Sequence, residues 1–246
     1  MARSKLLTSQ NAKTIKGEKR GYKTFVLYLA SGDKSLKEYG KAGGLDVCPN
    51  KSRACFTFCL DNAGRGRFDH VKLARLVKTK QYRLDPAKFT REVSQELARK
   101  VKWWSSNRPA WQLVLRADGT SDIGIGRRIC QDHPSVQFMD YTKHLQVIRR
   151  DRKIPYGTNY HLTFSWSGEN EKECREALDL GYNVAAPFLP NTKSGAWYPP
   201  EFMGYPVISG ETADLGILDP APAIVALRPK GRAVYDASGF VVRGAW

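Results

Sequence analysis

Apolar positions along the chain fall into two rhythms. Short, nearly continuous apolar runs occupy residues 23–30, 111–116, 136–139, 160–164, 183–188, 206–208 and 223–227. Continuity rather than strict alternation is the mark of strands buried on both faces, as in parallel sheets, and small or polar residues follow each run. Between residues 69 and 101 the apolar positions recur at helical spacing, interrupted at Asp85-Pro86, which predicts two helices with a break there. A further helical pattern spans residues 169–180. Roughly seven strand–helix units in a chain of this length predict an α/β fold, a complete or partial (β/α) barrel in a single domain over residues 1–246. Reactive groups in that architecture sit on loops at the carboxyl ends of the strands.

Polar clusters stand where that rule puts them. Asp118, Gly119, Thr120, Ser121 and Asp122 follow one run, Ser165 and Ser167 another, and Gly210 and Glu211 a later one. Small residues let backbone amides approach a ligand, and hydroxyls and carboxylates can hold a ribose or an ammonium group. The same residue types are also ordinary in turns.

The most specific chemistry lies in Cys48, Cys55 and Cys59, spaced C-x6-C-x3-C on one short loop after the first strand. Three thiolates leave one coordination position open. A structural zinc site is closed by four protein ligands, so zinc here needs His70 or the distant Cys130, whereas an iron–sulfur cube on three cysteines keeps one iron free. Three free thiols without metal are the third reading. Five cysteines in 246 residues are odd in number and sparse, which argues against a disulfide framework and for a reducing compartment.

Charge is uneven. Residues 1–153 hold 33 of the 40 Lys and Arg and 14 of the 24 Asp and Glu, a net of +19, while residues 154–246 hold 7 and 10, a net of −3. The chain thus divides into a basic N-terminal part and a near-neutral C-terminal part. Arg65, Arg67, Lys72 and Arg75 follow the cysteine loop directly, a density that suits a polyanion such as nucleic acid by releasing counterions, or a solvated helix face. Tyr82, Phe89, Trp103, Trp104 and Trp111 interleave with basic residues and suit either core packing or base stacking. No apolar run approaches the roughly eighteen residues of a membrane span, and the opening residues lack the apolar stretch of a secretory signal. A cytoplasmic protein without membrane partners is expected.

Other motifs are weaker. Residues 124–128 look like a phosphate loop only in their glycines, since no strand leads straight into them. Cys174 lies in a helical pattern and reads as a packing residue. His144 and His161 have no partner at a diagnostic spacing, and no catalytic residue can be singled out.

A cysteine triplet in the loop after the first strand of a parallel barrel resembles the radical S-adenosylmethionine enzymes. Phe58, just before the last cysteine, is similar to the aromatic those enzymes pack beside adenine. More closely, the chain resembles a phage family, the gene-product-eighty-eight domain, which is itself similar to radical SAM proteins. The shared features are Leu6-Leu7, residues 11–14, Cys48-Pro49, Cys55, Cys59, Arg116, residues 119–122, residues 183–185, Gly210, Asp214, residues 218–220, residues 224–227 and Lys230-Gly231. The resemblance implies a [4Fe-4S] cluster on Cys48, Cys55 and Cys59, with S-adenosylmethionine chelated at the open iron. Cleavage to a 5'-deoxyadenosyl radical would need an electron donor, and the substrate would be a nucleic acid or nucleotide. In this sequence the cysteine spacing is longer than the usual CxxxCxxC, and no Gly-Gly-Glu follows the second strand. The competing expectation is a non-catalytic, zinc-stabilised protein that binds nucleic acid or a host factor. A phage-encoded protein would work in the cytoplasm of the infected cell.

Overall fold

Proline and aspartate set the helix boundary on which the N-terminal half turns. In the computed structural model, which describes residues 5–9, 14–30, 46–59, 64–190 and 196–244, one helix ends at Leu84 and the next begins at Pro86. Pro86 has no N–H to continue the first helix but fits the first turn of the second, and the Asp85 carboxylate caps that turn by accepting the Lys88 N–H at 2.8 Å. The expected break therefore falls at Asp85-Pro86.

In chain order the strands are β1 (Leu7–Thr8), β2 (Tyr22–Leu27), β3 (Gln112–Arg116), β4 (Val136–Thr142), β5 (Tyr160–Ser165), β6 (Asn183–Pro190), β7 (Glu201–Phe202), β8 (Tyr205–Ser209), β9 (Ile224–Leu227) and β10 (Val242–Gly244). The helices are α1 (Thr14–Glu18), α2 (Arg53–Thr57), α3 (Asp69–Leu84), α4 (Pro86–Asn107), α5 (Ile125–Ile129), α6 (Leu145–Lys153) and α7 (Glu171–Asp179). The seven apolar runs all appear as strands, β2 to β6, β8 and β9, and the sheet is mostly parallel. The fold is mixed α/β. A closed barrel, however, is not what these strands build: among the described residues the pairing path is open, with β1 and β7 as its ends. From β6 onward the described connections also lack α-helices, and a helical turn at Gly216–Leu218 lies between β8 and β9.

The chain divides into two compact units. The first comprises residues 1–49, 68–140 and 156–161. Here β2 pairs with β1 antiparallel and with β3 in parallel, Tyr22 opposite Gln112 and Val26 opposite Arg116, and β3 pairs with β4 in parallel. Phe25, Leu27, Val114, Leu115 and Phe138 form its sheet core, and α4 packs Phe89, Val93 and Leu97 inward. Each such side chain contributes about 1.5–3 kcal/mol by leaving water. β1 is too short to be visible as a pattern. It is held by the buried Glu96 of α4, whose carboxylate accepts the Leu6 and Leu7 N–H groups at 2.8 and 3.2 Å.

The second unit comprises residues 50–67, 141–155 and 162–246. Parallel ladders join β5 to β6, β6 to β9 and β9 to β8, while β10 extends along the far end of β6 and β7 forms a hairpin with β8. Val184, Ala185, Ala186 and Phe188 of β6 are all buried, which explains why that run reads as continuous. Among the described residues no helix is long and apolar enough to cross a membrane.

Candidate functional site

Cys48 follows the buried Val47, and its N–H donates to Asp46 Oδ1 at 2.9 Å. The Val47 carbonyl accepts the Asp122 N–H at 2.7 Å, which fastens the start of the cysteine loop to the turn after β3. In the second unit Ser52 caps α2: its Oγ accepts the Cys55 N–H at 3.0 Å and donates to the Ser167 carbonyl at 2.7 Å. The Cys59 N–H donates to the Phe56 carbonyl at 3.3 Å. Cys48, Cys55 and Cys59 are half-buried and outside any disulfide, whereas Cys130 and Cys174 are buried.

As donors, three half-exposed thiols suit an iron–sulfur cluster or a zinc ion. Among the described residues no three His, Cys, Asp or Glu side chains are gathered so that they could hold a metal ion. The two side chains proposed to complete a zinc site are engaged elsewhere. Cys130 is fully buried with its thiol 3.4 Å from the Tyr156 carbonyl, and His70 stacks on Phe68 with ring centroids 5.8 Å apart. Cys174 is a packing residue as expected, its thiol pushed up to about 12 by burial.

The polar loop after β3 is held rigid by its own groups. The fully buried Asp118 accepts the Ser121 hydroxyl at 2.6 Å, the Ile123 N–H at 3.2 Å and the Gly124 N–H at 2.7 Å. Thr120 Oγ1 donates to the Leu29 carbonyl at 2.6 Å, and the Gly119 N–H donates to the Leu27 carbonyl at 3.1 Å. A Cβ at Gly119 would come within 2.7 Å of that carbonyl oxygen, so only glycine lets this loop lie against the end of β2.

Sequence reading missed the groups behind this loop. Asp140, inside β4, accepts the Asp118 N–H at 2.8 Å and the Tyr160 hydroxyl at 3.2 Å. Burial first, then the Asp118 charge, raises the Asp140 carboxyl well above the usual range. Burial also raises Asp118, but three donors to its carboxylate favour the anion, so Asp140 is the more strongly raised of the two. Tyr160 is raised as well, chiefly by burial and then by Asp140. The available signal was an acid directly after the apolar run at residues 136–139, a place where a buried charge requires a partner.

In the second unit Ser165 Oγ accepts the Lys143 ammonium at 3.2 Å, and the Ser167 N–H donates to Asn170 Oδ1 at 2.8 Å. The Gly210 N–H donates to the Ala226 carbonyl at 2.9 Å, and Glu211 Oε1 accepts the Arg228 N–H at 3.2 Å. Phe58 stacks on Phe240 with centroids 6.1 Å apart. Ser165 ends β5, Ser167, Gly210 and Glu211 follow strand ends, and the bonds of Ser167 and Gly210 run through their backbone N–H groups.

The basic set divides. Arg65 and Arg67 are exposed, and Lys72 donates to Asp69 at 3.1 Å. Arg75 does not belong to a surface: it is buried, with its guanidinium 4.9 Å from the Tyr28 ring centroid. The helical phase of α3 turns this residue inward, which a count of charges cannot register.

Neither the curated proteins nor the solved structures contain a match to this chain. One family model matches residues 5–244, nearly the whole chain: the chain belongs to the phage protein family Gene product 88.

Proposed function

We propose that this protein binds a [4Fe-4S] cluster through Cys48, Cys55 and Cys59 and uses it beside a basic surface to act on a nucleic acid or nucleotide. The observation that supports the reading is the state of the three thiols. They are half-buried and outside any disulfide, on the segment that follows a parallel strand in the chain, where α/β folds place their ligands. Bound there, such a cluster would supply an electron and an open iron suited to the amino and carboxylate groups of S-adenosylmethionine. The chain's own contribution is positioning. Val47 and Ser52 fix the backbone beside Cys48 and Cys55. The strand-end groups at Asp118–Asp122, Ser165, Ser167, Gly210 and Glu211 are the candidate lining for S-adenosylmethionine, with Phe58 beside the adenine.

Anaerobic reconstitution followed by iron, sulfide and zinc analysis tests the metal. About four irons per chain are expected, with loss of the brown colour on replacing any one of the three cysteines by alanine. Stoichiometric zinc without iron would replace this reading by the structural-zinc alternative. For the cofactor, S-adenosylmethionine should perturb the EPR signal of the reduced cluster. An unchanged spectrum with no 5'-deoxyadenosine formed would leave a cluster protein without radical chemistry.

A further inference from the structure

The C-terminal third of α4 carries an aromatic ledge that neither the cysteine loop nor the expected basic quartet uses. Trp103 is 53% exposed, although indoles are usually well covered in a folded chain. It meets Trp104 edge-on at a centroid distance of 5.2 Å, and Trp104 meets Trp111 at 5.5 Å, so three of the six tryptophans form one continuous surface cluster. Beside Trp103 and Trp104, Glu96, Arg99 and Lys100 complete the lining of a depression of about 240 Å³. Trp111 stands just before β3, and Lys23 near the start of β2 places its ammonium 5.4 Å from the Trp104 ring. The ledge therefore lies at the amino ends of these strands, away from the carboxyl ends that the cysteine loop follows.

Its charge is one-sided. The acids nearby are both engaged: Glu96 holds the Leu6 and Leu7 N–H groups and Lys100, and Glu18 pairs with Lys23 at 2.5 Å. Arg99, Lys102 and Arg108 are exposed around the indoles. A lipid surface would require an apolar helix face, but the neighbouring exposed positions Gln95, Ser105, Ser106 and Asn107 are polar. An exposed indole beside two half-buried ones, ringed by arginine and lysine, matches instead a strand whose bases are free to stack and whose phosphates need cations; duplex bases are not free in this way.

We propose that Trp103, Trp104 and Trp111, with Arg99, Lys102 and Arg108, bind single-stranded nucleic acid by base stacking. This rests on the nucleic-acid partner in the reading above, but it moves the binding surface to α4 and needs no cluster. The test is anisotropy of a labelled oligothymidylate with the full chain at physiological salt. Trp103→Ala, at an exposed position, should weaken binding roughly 5- to 150-fold, the loss of about one stacked base, with an unchanged salt slope. Trp103→Phe should retain most of the affinity. Arg99→Glu with Lys102→Glu should instead lower the slope by about 0.7 for each phosphate these side chains no longer neutralise. Cys55→Ala, which abolishes any cluster, should bind as the wild type does. The proposal is overturned if Trp103→Ala binds like wild type, if a duplex of the same sequence binds as tightly, if Cys55→Ala loses binding while Trp103→Ala keeps it, or if anionic vesicles bind and the oligonucleotide does not.

Discussion

Gly126→Ala is expected to destabilise the first unit, although alanine is the better helix former and the position lies within α5. An added Cβ would collide with Asp140 Oδ2, and would lie 3.0 Å from Tyr160 Cε2 and 3.4 Å from the Ala117 Cβ. Asp140 cannot swing away, because its Oδ1 holds the Asp118 N–H, its Oδ2 takes the Tyr160 hydroxyl, and its side chain is buried. Overpacking at such a site costs about 1–3 kcal/mol, and disturbing a buried hydrogen bond costs a further ~1 kcal/mol. Helix propensity returns at most about 1 kcal/mol. The net loss is about 2 kcal/mol, which at a slope of about 2 kcal/mol/M lowers the urea midpoint by about 1 M. The assay is urea unfolding followed by circular dichroism, with Asp140→Ala as a second background. Removing the carboxylate opens the space the new methyl needs, so the cost of Gly126→Ala should fall by more than half in that background, a coupling that distant sites do not show. A midpoint equal to or above wild type, or the same loss in both backgrounds, refutes the assignment of Gly126 as the residue that lets α5 close over Asp140.

Two other outcomes follow from the same region. The raised Asp140 carboxyl binds a proton in the folded protein that it releases in the unfolded chain, so stability should fall as pH rises above the ordinary carboxylate range, by up to ~1.4 kcal/mol per pH unit for that one proton. Asp140→Asn should flatten this slope when urea midpoints are compared between about pH 5 and about pH 8, with Asp118, Asp122, Arg116, Arg127 and Tyr160 left in place as the surrounding ionisable groups; an unchanged slope would rule out Asp140 as the proton holder. Asn159→Ala should cost about 2–4 kcal/mol, because the buried Asn159 amide donates to the Cys130, His133 and Val136 carbonyls at 3.0, 3.0 and 2.8 Å. Amide exchange over residues 130–136 should accelerate with it, and unaltered protection there would show that the clamp is dispensable.

The sequence alone determined what depends on neighbours along the chain. The helix break at Asp85-Pro86 needs only a ring without an N–H and a carboxylate beside it, and seven apolar runs announce strands because burial on both faces removes polar alternation. The cysteine triplet is legible for the same reason: its spacing is a local quantity. Tertiary structure decided everything that depends on residues meeting across the fold. β1 is held by its ladder with β2 and by Glu96, about ninety positions away, which accepts the Leu6 and Leu7 N–H groups. Whether the sheet closes depends on the pairing of its outermost strands, which no run of side chains records, and the path here stays open among the described residues. Arg75 counts as a surface charge in the composition and as a buried cation on Tyr28 in the fold, because helix phase and not charge decides which way it points. That Asp118 also fastens its own loop depends on a turn closing back on it, which its residue type alone does not record. Asp140 and Tyr160 lie in different strands, so their pairing exists only once both strands are in place.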